Sequence, residues 1–257
     1  MHIMKTGGTA LTTALARLCH DAHAGESVTE VFLDQFVLRD PRRWNEVGFV
    51  TGHLPWEVRE LLPPATRSLT VLRDPVDRTF SHYWQLSINP EVRAESPGFS
   101  LEEFVESSRW NTLCRDYQAR QLAHRVDLAH AGTTYAPADR FASLGAPFPS
   151  EHQYPLQSFF DCSPLTLGGA DLERAALESL AEIEFVGVTE QLDSLYRVVV
   201  ERVWSLHDLQ PLGRENTAPD RPRRSSVSAD LVRRIEEMTA VDHALYEEAK
   251  RRSSRLG

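Results

Sequence analysis

Short apolar runs that alternate with amphipathic stretches predict an α/β fold, a central parallel sheet flanked by helices on both faces, because repeated β-α-β units leave this pattern. Two further features agree. Each run ends near a Gly, Asp or Thr that opens a turn, and the stretches between carry apolar residues at helical spacing. In chain order the predicted strands are His2–Met4, Val28–Leu33, Gly48–Thr51, Ser68–Leu72 and Glu184–Val188. The first predicted helix shows Leu11, Leu15, Leu18 and Cys19 on one face. Later ones show Leu192, Leu195, Val199 and Val203, and then Leu231, Ile235, Met238 and Leu245. These faces are core and carry no chemistry. The stretch from Gly132 to Gly169 holds Pro137, Pro147, Pro149, Pro155 and Pro164, and predicts a loop-rich insertion, about 132–169, within a single domain spanning 1–257. Arg214 to Ser228 is polar and basic and predicts an exposed loop.

Composition bounds the partners. With 257 residues, 41% of them hydrophobic and 25% charged, the chain is globular rather than disordered or fibrous. The 28 Lys and Arg against 37 Asp and Glu leave a net charge of −9, so no basic field exists to hold nucleic acid. An anionic ligand must be caught locally. Cys19, Cys114 and Cys162 form an odd set without a CxxC pair, which argues against a disulfide framework and predicts a reducing, cytoplasmic setting. The longest stretch free of Asp, Glu, Lys and Arg is the 12 residues Thr79 to Pro90, too short for a membrane span. The uncharged run Thr6 to Ala16 holds four threonines and two glycines, too polar for the apolar core of a secretion signal.

Lys5-Thr6-Gly7-Gly8-Thr9 lies between a predicted strand and a predicted helix. A strand, a Gly-rich turn and a helix N-terminus make a phosphate cradle: small residues admit the anion, unpaired N–H groups point at it, and the helix dipole favours its charge. Lys5 adds a mobile point charge. The order differs from the nucleotide-triphosphate loop GxxxxGK[ST], where the lysine follows the glycines and a hydroxyl after it holds magnesium.

In Thr70-Val-Leu-Arg-Asp-Pro-Val-Asp-Arg-Thr-Phe-Ser-His-Tyr, Asp74 stands at an N-cap position, Pro75 at the first helical position and Asp77 three residues past the cap. A helix therefore starts directly after the strand, with Arg73 at the strand's C-terminal end. Ser81 falls about two turns into that helix.

These two segments together resemble the sulfotransferases that use 3′-phosphoadenosine 5′-phosphosulfate (PAPS), above all the branch of carbohydrate sulfotransferases with a His-x-Pro-Lys-Thr-Gly-Gly-Thr motif. Val186-Gly-Val-Thr-Glu-Gln-Leu-Asp-Ser-Leu is similar to that branch's late strand and helix, and Asp242-His-Ala-Leu-Tyr-Glu-Glu-Ala to its C-terminal helix. Met4 stands where the family usually has proline, a change that removes no charge or donor. The resemblance implies a P-loop nucleotide-hydrolase-like fold. It implies that Lys5, Thr6, Gly7, Gly8, Thr9 and Ala10 hold the 5′-phosphosulfate and that Arg73 and Ser81 hold the 3′-phosphate. The donor is then PAPS, the product 3′-phosphoadenosine 5′-phosphate (PAP), and the acceptor a hydroxyl of a carbohydrate or small molecule.

Sulfuryl transfer, like phosphoryl transfer, is helped by in-line positioning and by stabilising charge on the leaving phosphate oxygen. Because the sulfuryl group carries less negative charge than a phosphoryl, no metal is expected. An acceptor hydroxyl needs a base, and histidine has the suitable pKa. His53, in Phe-Val-Thr-Gly-His-Leu-Pro, follows a predicted strand and so shares the ligand-binding edge of the sheet with Lys5 and Arg73. It resembles the Gly-His base of glycan 2-O-sulfotransferases, making Lys5 and His53 the expected catalytic pair. His82, next to Ser81 on the helix, is expected to face away and act structurally. Trp56, Tyr83, Trp84 and Trp110 are either acceptor-pocket walls or core. The rival readings are a P-loop nucleotide kinase and a catalytically silent nucleotide- or partner-binding module.

Overall fold

Four strands form, each where an apolar run predicts one: β1 (Glu26–Val31), β2 (Val47–Gly52), β3 (Leu69–Leu72) and β4 (Phe185–Val188). The computed structural model describes residues 3, 6–31, 41–52, 56–108, 110–123, 167–212 and 220–256. Strands β1 and β2 pair in parallel, and so do β3 and β4, the latter in unbroken register from Leu69 opposite Phe185 to Leu72 opposite Val188.

Where one central sheet is expected, the described strands form two two-stranded parallel sheets, an α/β arrangement. A cavity of about 790 Å3 is walled by Phe49 and Val50 of β2 on one side and by Thr70 and Val71 of β3 on the other. The strand predicted at His2–Met4 lies outside the described residues except for Ile3, which is fully buried.

Nine α-helices lie among the described residues: α1 (Gly8–Asp21), α2 (Pro75–Ser87), α3 (Pro90–Glu95), α4 (Leu101–Glu106), α5 (Tyr117–Ala123), α6 (Gly169–Glu182), α7 (Leu192–Trp204), α8 (Ala229–Met238) and α9 (Ala240–Ser253). They cover both faces of the β3–β4 sheet. Val71 and Phe185 pack with Leu11 and Leu15 of α1 and Leu195 and Val199 of α7. Leu72, Val186 and Val188 belong to the opposite core with Phe80, Leu180, Ile235 and Leu245. Each large side chain so buried contributes roughly 1.5–3 kcal/mol. Helix α7 lies so close to β4 that a Cβ at Gly187 would come within 2.5 Å of Leu195 Cδ2.

The pattern Leu231, Ile235, Met238, Leu245 continues without a change of period, yet the helix it predicts is broken at Thr239 (φ −118°, ψ 29°). A carboxylate from elsewhere explains the break. Asp116 Oδ1 accepts the N–H groups of Val241 and Asp242 at 2.9 and 3.2 Å, which starts a new helix there. The predicted insertion at 132–169 lies outside the described residues apart from Leu167, Gly168 and Gly169, where α6 begins. Within the predicted loop 214–228, residues 214–219 lie outside them and Arg224–Ser226 form one 3₁₀ turn. No helix among the described residues is long and apolar enough to cross a membrane.

Candidate functional site

The Gly-rich turn is built by its own residues. Thr6 is buried and its hydroxyl donates to the Ile3 carbonyl at 2.8 Å, which closes the chain on itself. Gly7 (φ 80°, ψ 12°) takes the left-handed conformation that glycine adopts freely and forms the N-cap of α1. No side chain caps this helix and its first turn holds no acidic residue. The N–H groups of Gly8, Thr9 and Ala10 thus lack intrahelical partners at the positive end of the helix dipole. Gly8 is buried, Ala10 half-buried and Thr9 exposed. Lys5 lies outside the described residues.

A single hydroxyl joins this turn to the end of the β3–β4 sheet. Thr189, directly after β4, places Oγ1 2.9 Å from the Thr6 carbonyl and 3.3 Å from the Leu72 carbonyl, so one donor proton serves both. A Cβ at Gly7 would lie 2.9 Å from Leu192 Cδ1 and 3.2 Å from Thr189 Cγ2. The turn is therefore seated against the start of α7 at the C-terminal ends of β3 and β4, one residue from Arg73.

Arg73 follows the last paired residue of β3 and is 8% exposed. Burial lowers its pKa, and the nearby charge of Arg221 lowers it further, while Asp77, Glu190 and Asp74 oppose the shift. After it the chain turns as the sequence predicts: the Asp74 side chain accepts the Asp77 N–H at 3.0 Å and Pro75 opens α2. Ser81 is half-buried on α2, on one stripe with Asp77 and Trp84 at helical spacing. The late basic segment approaches the head of this stripe. Arg224 pairs with Asp74 at 3.7 Å and with Glu236 at 2.6 Å. Beside it a second cavity, about 550 Å3, lies between Tyr83 on α2, Ser100 and Glu102 at the start of α4, and Arg221 and Arg223.

Beneath the site lies a buried polar network that neither spacing nor composition foreshadowed. Gln118 is fully buried; its Oε1 accepts the Arg73 N–H and its Nε2 donates to the Arg73 carbonyl, each at 3.0 Å. Asp242 accepts the N–H groups of Gln118 at 3.1 Å and Ala119 at 2.7 Å, so it caps α5 while Asp116 caps α9. Burial pushes the Asp242 carboxyl up to about 7 against the pull of Arg78 and of the two N–H donors. Arg78 is itself fully buried, 4.3 Å above the Tyr117 ring, and donates to the Leu113 carbonyl at 2.5 Å. Within α2 the network extends to the i, i+4 neighbour of Arg78, His82, whose Nδ1 lies 3.5 Å from Arg78 Nη1.

Other predicted positions separate from the site. His82 is fully buried between the edges of Phe104 and Tyr117. Trp110 packs on Phe99 in the core, and Trp56 donates to Glu182 at 3.0 Å on the wall of the larger cavity. His53 lies outside the described residues; Gly52 before it is buried at the end of β2 and also borders that cavity. Compared with protein-family models, with curated proteins and with solved structures, the chain matches none.

Proposed function

We propose that the chain is a sulfotransferase of the P-loop-like fold that moves a sulfuryl group from PAPS to a hydroxyl of a carbohydrate or small-molecule acceptor. The observation that carries this reading is the shared hydroxyl of Thr189, which ties the Gly-rich turn and the end of β3 to one edge. The residues there suit a ligand with an anion at each end. One end meets the uncapped first turn of α1, and the other meets a guanidinium whose charge burial and Arg221 disfavour and Asp77, Glu190 and Asp74 favour.

The donor, when bound, supplies the activated sulfuryl group. Lys5 and the N–H groups of Gly8, Thr9 and Ala10 hold its 5′ end and meet the charge that grows on the leaving oxygen, with Thr6 and Gly7 shaping the loop. Arg73 and Ser81 hold the 3′-phosphate and discriminate against nucleotides that lack it. His53 takes the acceptor's hydroxyl proton.

A screen of sugars and small alcohols or phenols with PAPS, run in EDTA, tests this. Formation of PAP with a sulfated acceptor is expected, and His53→Gln lowers turnover while nucleotide binding stays. Turnover of ATP that EDTA abolishes contradicts the reading in favour of a kinase. Nucleotide binding without product from any acceptor contradicts it in favour of a silent binding module.

A further inference from the structure

We infer that Gln118 is the positioning residue of the 3′-phosphate site, an inference that rests on the donor reading above. The ladder between β3 and β4 ends at Leu72 opposite Val188, so among the described residues no strand pairing continues to the backbone of Arg73. Gln118 takes the strand's place. Its carboxamide offers one acceptor and one donor in a plane, and it uses them on the N–H and carbonyl of the same residue at 3.0 Å each. This two-point contact fixes the peptide planes on both sides of the Arg73 Cα, and with them the direction in which the side chain leaves the sheet.

Gln118 is held in turn. Its own N–H donates to Asp242, whose helix α9 is started by Asp116, two residues before Gln118. The amide therefore cannot shift without disturbing two helix starts. A buried glutamine could serve only to satisfy strand-end backbone groups, and that role predicts lost stability with unchanged ligand preference. The positioning role predicts lost preference, because a guanidinium misdirected by an ångström still leaves the 5′ end of a nucleotide bound at the Gly-rich turn.

Binding of PAP and AMP to the full chain and to Gln118→Met separates these. Methionine keeps the length and removes both hydrogen bonds. PAP affinity is expected to fall about tenfold while AMP affinity changes by less than about threefold. Equal losses for the two ligands, or preference kept at the wild-type level, overturn the inference. Where the Met variant does not fold, Gln118→Glu carries the same test, since it keeps the size and the acceptor and loses the donor at neutral pH. Reduced preference in that variant supports the positioning role and full preference overturns it. Failure of the donor reading has a different signature: the unsubstituted chain then binds PAP no better than AMP.

Discussion

At Arg73 the cost of holding a charge and the means of recovering it are both visible. Burial and the charge of Arg221 each disfavour the guanidinium, and Asp77 and Asp74 at the head of α2 and Glu190 after β4 oppose them only in part. A phosphate dianion at this point reverses both penalties, since it meets the buried charge and separates it from its neighbour. Arg73→Ala is therefore expected to weaken PAP by roughly ten- to a hundredfold and AMP far less, measured by titration calorimetry. Equal losses for the two nucleotides contradict the assignment. Much at this scale is legible in the sequence: Asp74, Pro75 and Asp77 state their helix start in their order alone, and Gly7 states its turn. Gln118 is not, because its partner Arg73 is 45 positions away and a lone glutamine in a helix carries no directional signal.

Among the elements, α5 and α9 start on each other's carboxylates. Asp116 precedes α5 and caps α9; Asp242 lies in the first turn of α9 and caps α5. Such reciprocity joins residues 125 positions apart, and the apolar period runs unchanged through Thr239, so no local pattern divides the helix there. The strands are a different case. Their cores of Val, Leu and Phe lie within a residue or two of the predicted limits, because a short apolar run between turn formers has few other solutions. Their assembly into two sheets is not readable from such runs. The cap at Asp242 has a pH signature. Its carboxyl is raised from 3.8 to about 7 by burial, with Arg78, Asp116, Tyr117 and Arg120 facing it from the neighbouring elements. The folded state thus holds the proton more tightly than the unfolded state, so this group's stabilisation is complete below about pH 4 and is lost as pH rises through about 7. Asp242→Asn gives up an N–H contact at every pH and lacks this slope. The Tm advantage of the unsubstituted chain over Asp242→Asn is expected to shrink from pH 4 to pH 7; a constant or widening gap contradicts this.

For the whole molecule, a net charge of −9 coexists with a local gathering of Arg73, Arg221 and Arg224 about the head of α2. The fold makes that gathering useful by bringing the chain's first turn and the ends of β3 and β4 to one edge through Thr189. On the proposed function the Gly-rich turn and Arg73 form two anion-binding corners, which suit a ligand charged at both ends, and a nucleotide charged only at its 5′ end meets half of the site. Thermal unfolding with PAP, AMP and ATP tests this most directly. At 100 times its dissociation constant a ligand adds about 2.7 kcal/mol, which raises Tm by roughly 5–10 °C in a chain of this size. At equal concentrations PAP is expected to raise Tm well above either AMP or ATP; equal shifts from all three, or none from PAP, contradict the account.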